Sequence, residues 1–342
     1  MDRKHQSRQR CKKKVKTLKE DYLPKLIQYE IHQSNLNGRN SYAKTDCDAT
    51  FLRMKDDHMG NGQLKPAYNV QIGTEHQYII NYTFHQQAND MPVLKEHLQS
   101  TKAQLAAIGQ PMPQRLSSDA GYGSEENYDY IEQEGLENYV KYPGFYQEQK
   151  KTRRQDPFRR ENLYYNPEQD YFVCPMGQHL AFTHTTIIHS KSGYPSLVRL
   201  YQAQRCDNCP LRGQCHDSKT ERVIQINPNL QRHKDQARRN LHSLRGRFLR
   251  RKRSVEPESV FGQLKWNRKF NRFLLKGMDK VSCEFGILAI AHNLKKMWSA
   301  KRKARIVPMG PNLPSNDPVL TENTQINTLK CCFIKTQSLV AA

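Results

Sequence analysis

Two carboxylates in this chain stand in settings suited to handling a cation and a phosphate. Asp119 lies in SSDAGYGS, just past a short strand-like run, and Ala120, Gly121 and Gly123 keep the backbone compact around it. Ligands collect at the carboxyl ends of strands in α/β sheets, so this side chain could stand free to bind a cation. The blander reading is that an Asp before a glycine-rich turn is a turn former. Glu258 lies in RRKRSVEPESVFGQLKWNRKFNRF, seven residues after Arg251 and seven before Lys265. On a continuous helix all three fall near one face. A carboxylate with a cation two turns away on each side suits a metal ligand beside a phosphate clamp. A solvated basic helix with ordinary charge pairs is the alternative.

The charge around Glu258 extends well beyond one face. Between Arg238 and Arg272 there are twelve Lys or Arg against two Glu, interleaved with Phe248, Phe261, Trp266, Phe270 and Phe273. The aromatics offer packing and stacking surfaces for bases. Over all 342 residues, 55 Lys and Arg face 33 Asp and Glu, a formal net charge of +22. A field of that sign captures polyanions, and nucleic acid is the expected partner because phosphate neutralisation releases counterions. Hydrophobic content of 36% argues against wholesale disorder. No apolar run approaches the ~20 residues of a membrane helix. The basic N-terminus lacks the apolar stretch of a secretory signal. A cytoplasmic, reducing location is expected, where the nine cysteines serve as metal ligands or free thiols rather than disulfides.

These residues need a scaffold. The runs 67–74 and 77–84, rich in Val, Ile and Tyr around a tight polar turn, predict a hairpin. Leu94, Leu98, Leu105 and Ile108 have helical spacing, and Gly109 ends that helix. A short strand leads into Asp119. A helix over 124–135 follows, with Ser124 as N-cap, and a strand over 137–143. Helical character returns from about 229 to 265, and an apolar helix is expected over 280–298. This alternation predicts an α/β fold. The division expected is a basic helical segment over 1–40, a first part of the catalytic domain over 41–143, a cysteine-containing insertion subdomain over 144–227, the helical remainder over 228–300, and a flexible tail over 301–342.

Taken together, SSDAGYGSEENY, VEPESVFGQLKWNRKFNRFLLKG and LAIAHNLKKMW closely resemble the DDE-type transposases of bacterial insertion sequences. The resemblance is strongest to the branch that also carries TDCDATFLRMKDDH and NGQLKPAYNVQI, and it runs from about residue 40 to 298. It implies an RNase H-like mixed sheet with helices, interrupted by the cysteine-containing subdomain. By the same resemblance Asp119 matches the second catalytic acid, Glu258 the third, and Lys265 the lysine seven residues on. The family often places an Arg four residues before that Glu. Ser254 stands there instead, so Arg251 or Arg253 would have to serve. Glu256 is the weaker candidate for the third acid. The implied chemistry is binding of two Mg²⁺ ions by the carboxylates, for in-line cleavage and transfer of DNA strands. Arg251, Arg253, Lys265, Arg268, Lys269 and Arg272 would hold phosphates of double-stranded DNA, at element ends and target. No membrane is involved, and a homodimer on DNA is an open arrangement.

The first acid normally stands on a central strand beside the one that presents the second. No such strand is evident before the hairpin. The chain is therefore expected to be an N-terminally truncated copy with little strand-transfer activity, unless Asp46 or Asp48 supplies the acid. A catalytically dead DNA-binding remnant and a zinc-bearing nucleic-acid-binding protein are the alternatives. For the latter, Cys206 and Cys209 form a C-x2-C bite, and Cys174 and Cys215 complete a tetrahedral zinc set, with His216 as a substitute. His58, His76, His85 and His292 read as surface or capping residues.

Overall fold

The computed structural model describes residues 11–54, 62–306 and 331–341, so His58 lies outside the described residues. An N-terminal helix includes α1 (Leu23–Leu36), and Pro24 sits in its first turn rather than breaking it. The first sheet begins with β1 (Thr50–Arg53), β2 (Leu64–Glu75), β3 (Tyr78–His85), β4 (Arg115–Ser117) and β5 (Glu137–Asn138). The second sheet follows in sequence: β6 (Tyr164–Asn166), β7 (Tyr171–Val173), β8 (His179–His189), β9 (Pro195–Ala203) and β10 (Val223–Ile226). The chain then runs through helices to a last strand, β11 (Cys331–Val340).

β2 is the backbone of the first sheet. β1 and β3 pair antiparallel along one of its edges, and β11 pairs antiparallel along the other. Residues 67–75 are buried throughout, as expected of a strand covered on both faces. Tyr68, Val70 and Ile72 pack with Val260, Phe273, Val281 and Phe285 in one core cluster. The alternate residues are polar: the Asn69 amide donates to the Gln87 carbonyl at 2.8 Å, and Gln71 accepts from the Tyr122 hydroxyl. The hairpin turn at His76 and Gln77 has φ of 50° and 63°, the left-handed pair that suits the twist of the flanking strands.

Helices position the strand ends. In α2 (Leu94–Ala107), Leu94, Leu98 and Leu105 are buried, whereas Ile108 falls past the helix end and is exposed. The helix α3 (Glu125–Gln133) is capped by Ser124, whose hydroxyl accepts from the Asn127 N–H. α4 (Pro228–His242), α5 (Leu244–Val255) and α6 (Pro257–Gly262) follow the second sheet. Gly246 lets α5 fold back tightly, because a Cβ there would lie 2.0 Å from the Asn240 carbonyl oxygen. The final helix α7 (Met278–Ile306) lays Val281, Phe285 and Ala289 on the β2–β3 face. His292 is also buried on this helix, with Nε2 2.8 Å from the Gln77 carbonyl oxygen, and His85 is buried beside Glu96. Neither lies at the surface, one of the two settings expected for these histidines; of the described ones, His76 is exposed.

The second sheet is wholly antiparallel, in the order β10-β9-β8-β7-β6, around Leu163, Phe172, Leu180, Tyr201 and Ile224. Its β8–β9 hairpin is fastened to α3: Ser196 and Ser192 donate to Glu125 and Glu126, each at 2.6 Å, and Tyr194 donates to Asp129.

The largest departure from expectation is at the C-terminus. Residues 331–340 are not a loose tail but a strand inserted between β2 and β4. Cys332, Phe333, Ile334 and Leu339 are buried there. The central position that seemed to lack a strand is filled from the other end of the chain, so the neighbouring edges of β2 and β4 are paired.

Candidate functional site

Asp119 follows β4 by two residues. Its backbone opens a short 3₁₀ turn over Ala120–Tyr122, but its side chain makes no capping bond to that turn. The turn-former reading therefore does not account for the carboxylate. It points instead to Arg253, whose Nη1 donates to Asp119 Oδ2 at 3.2 Å. Gly123 allows the turn to lie against the chain at 141–143: a Cβ would meet the Lys141 carbonyl oxygen at 2.6 Å. That close approach brings Lys141 alongside, with Nζ 3.9 Å from Asp119 Oδ1 and its side chain only 4% exposed.

Glu258 arrives from a different direction. The straight helix expected through Arg251, Glu258 and Lys265 is interrupted. α5 ends at Val255, Glu256 takes ψ −84°, and Pro257 starts α6. Proline lacks the N–H that would continue the ladder, and restricts the residue before it. A wider turn over Gln263–Asn267 then follows α6. The break separates the two neighbouring acids. Glu256 is buried, accepting from the Gln77 backbone N–H at 2.6 Å and lying 3.6 Å from Lys252. Glu258, in the first turn of α6, accepts from Arg253 Nη2 at 3.2 Å. Arg253 thus bridges Asp119 and Glu258. Arg251 is exposed.

Lys335 completes the cluster, with Nζ 3.2 Å from Glu258 Oε1. The parallel register of β11 with β4 places Phe333 beside Ser117, so two residues further on Lys335 is level with Asp119. Sequence reading missed Lys141 and Lys335. The signal for Lys335 was the run CCFIKTQSLV, whose β-branched residues suit a strand.

Asp46 and Asp48 are engaged elsewhere. Asp46 accepts from the Tyr68 hydroxyl at 2.7 Å and the Gly277 N–H at 3.2 Å; Asp48 accepts from the Met278 N–H at 2.8 Å. Burial and the bond to Asp46 together push the Tyr68 phenol up. Both acids fasten the start of α7.

Of the basic residues singled out for phosphate contact, Arg251, Lys269 and Arg272 are exposed. Arg268 is half-buried, and burial lowers its pKa; its Nη1 has no hydrogen-bond partner among the described residues. Arg253 and Lys265 are buried, which withholds them from a surface contact in this arrangement. Phe248 and Trp266 are exposed near them in sequence, whereas Phe261 and Phe273 belong to the core.

The four cysteines Cys174, Cys206, Cys209 and Cys215 line one small cavity of about 30 Å³, together with His216 and Arg222. All four are free thiols. Arg222 donates from Nη1 to Cys215 Sγ at 3.1 Å and from its backbone N–H to Cys206 Sγ at 3.4 Å. Among the described residues, the group with three ligand atoms within 4.8 Å of one another is Asp129, Glu132 and His233. The Glu132 oxygens there are held by Arg232 at 2.8 and 2.9 Å.

Residues 173–298 match the family model described as a transposase DDE domain. The match supports a DDE-type transposase. It takes in Glu258 and Arg253 but not Asp119. No curated protein and no solved structure matches the chain. Among the described residues, no helix is long and apolar enough to cross a membrane.

DDE transposases generally use a divalent metal such as Mg²⁺, which demands oxygen ligands at about 2.0–2.1 Å in octahedral geometry. The donors here are two carboxylates, and three cations already lie within 3.9 Å of their oxygens: Arg253 on both, Lys335 on Glu258, and Lys141 on Asp119. In this arrangement the residues do not fit that ion.

Proposed function

We propose that the chain acts in DNA transposition as a duplex-DNA-binding unit of a DDE-type transposase, with an RNase H-like core. The observation that carries this reading is the cluster of Asp119, Glu258, Arg253, Lys141 and Lys335, drawn from separate stretches of the chain onto the end of β4. Three cations against two carboxylates leave the cluster net positive, which adds to the field that draws a polyanion to this face. The exposed Arg251, Lys269 and Arg272, with Phe248 and Trp266, extend the basic surface. Arg253 orients both carboxylates toward one point, which strand cleavage and transfer would require. With those cations in place, the chain holds DNA and cuts it poorly. A cytoplasmic location and a homodimer on DNA belong to the same reading.

Binding to a duplex oligonucleotide, titrated against salt, tests the proposal. The triple variant Arg251→Ala, Lys269→Ala, Arg272→Ala should lower the slope of log affinity against log salt by about 3, near one per lost phosphate contact. Binding that is salt-independent, or unchanged in the variant, would sink it. Asp119→Ala and Glu258→Ala should leave binding in place; loss of nicking in either would show that the site cuts after all.

A second reading concerns the cysteine cavity. We propose that Cys174, Cys206, Cys209 and Cys215 draw together on a structural zinc ion, supported by their convergence on one cavity. His216 Nε2 is buried without a partner among the described residues and could replace one thiol. Burial and nearby Arg212 and Arg222 lower its pKa, favouring the neutral imidazole that ligates metal. Metal analysis decides it: a Cys206→Ser, Cys209→Ser variant that keeps its zinc content rules the site out.

A further inference from the structure

We infer that Lys335 is a built-in cation that keeps a divalent metal out of the Asp119–Glu258 site. This deepens the functional proposal and rests on its reading of those two residues as the paired acids of the site.

The argument starts from position. Lys335 belongs to a strand fixed on both edges, by β2 and by β4, and its side chain is only 18% exposed. The strand register, not a mobile side chain, delivers the ammonium level with Asp119. Phe333, two residues earlier, is fully buried, with Lys252 5.8 Å from its ring centre, and this locks the register.

Charge supplies the next step. Glu258 Oε1 receives Lys335 and Arg253 together, each at 3.2 Å. Asp119 Oδ2 is taken by the same guanidinium. A divalent ion bound to Glu258 Oε1 would be in contact range of an ammonium and a guanidinium at once. Like charges at that range repel strongly in a half-buried site. Arg253 has a second carboxylate to fall back on. Lys335 pairs with Glu258 and is delivered by its strand rather than by the helix that carries that acid, so its charge can be deleted while the Arg253 bridge stays in place.

Manganese(II) titration of the full chain, read by loss of the free-ion paramagnetic signal, tests this. Lys335→Met keeps the length and the apolar stem of the side chain while deleting its charge. It should bind Mn²⁺ roughly tenfold more tightly than the parent chain. Lys335→Gln should gain similarly, and covers the case in which Lys335→Met does not fold. Lys335→Arg, which keeps the charge, should gain nothing. Adding Glu258→Gln to Lys335→Met should cancel the gain. Equal Mn²⁺ binding by the parent and both charge-deleted variants, tight or absent, would overturn the inference, as would a gain that survives Glu258→Gln. DNA binding is scored separately by its salt slope, so failure there with the Mn²⁺ gain intact would count against the functional proposal and not against Lys335.

Discussion

Phe333 of the last strand pairs in parallel with Ser117, which sets the C-terminal strand directly beside the one that leads into Asp119. The pairing joins two ends of the sequence in the centre of a sheet. It supplies both a core aromatic and, two residues on, a lysine at the acidic site.

Phe333 should therefore behave as a core residue. Its side chain is fully buried among residues of the cluster that includes Leu116, Leu249 and Ile334. Phe333→Ala should cost about 3–5 kcal/mol through lost burial and the cavity left behind. Urea unfolding gives the number. A loss below about 1 kcal/mol, where most surface substitutions fall, would mean that 331–340 is not part of the folded core.

Short-range features were legible in the sequence because their signals are local. The β2–β3 hairpin, the Ser124 cap and the strand before Asp119 each declare themselves within a dozen residues. Glu258 was legible through its setting, but its relation to Arg251 was not. Periodicity assumes a straight helix, and Pro257 breaks it. β11 escaped notice for a different reason: its partners, β2 and β4, lie more than two hundred residues away, and non-local pairing leaves no mark in local spacing. Lys141 was hidden likewise, since only the tight packing against Gly123 brings it to Asp119.

That packing makes Gly123→Ala informative. An added Cβ would stand 2.6 Å from the Lys141 carbonyl oxygen and 2.8 Å from Tyr142 Cα, both backbone atoms that cannot swing aside. The segments must separate, at about 1–3 kcal/mol. Thermal unfolding should register the loss. A fully stable variant would show that the turn and the 141–143 segment are not in contact.

Asp129 ties the second sheet to the first. Burial alone would raise its carboxyl pKa, but hydrogen bonds from Tyr194, His233 and Asn229 outweigh that and hold it below the usual carboxylate range. Asp129→Ala leaves those donors without their acceptor, at about 1–3 kcal/mol. Amide hydrogen exchange across 189–196 should quicken, since the β8–β9 hairpin loses one of its three anchors on α3. Exchange unchanged from the parent would mean that the hairpin is held by Glu125 and Glu126 alone.

His97 sets an acid limit on stability. It is fully buried on α2, with Nδ1 2.8 Å from the Thr83 hydroxyl and Nε2 without a partner among the described residues. Burial first, and the neighbouring His85 second, push its pKa down to about 3. Burial lowers His85 in the same direction, against the pull of Glu96. An unfolded chain takes up these protons near pH 6.5, while the folded one refuses them. The unfolded state therefore binds more protons below that pH. The His97 contribution is fully present above about 6.5 and is lost as pH falls toward 3, by up to about 1.4 kcal/mol per unit, and His85 acts in the same direction. The melting temperature should drop steadily from pH 7 to pH 5. His97→Gln, which cannot be protonated, should flatten that slope and leave only the part due to His85. A His97→Gln profile parallel to the parent's would show that His97 takes up its proton in the folded chain as easily as in the unfolded one.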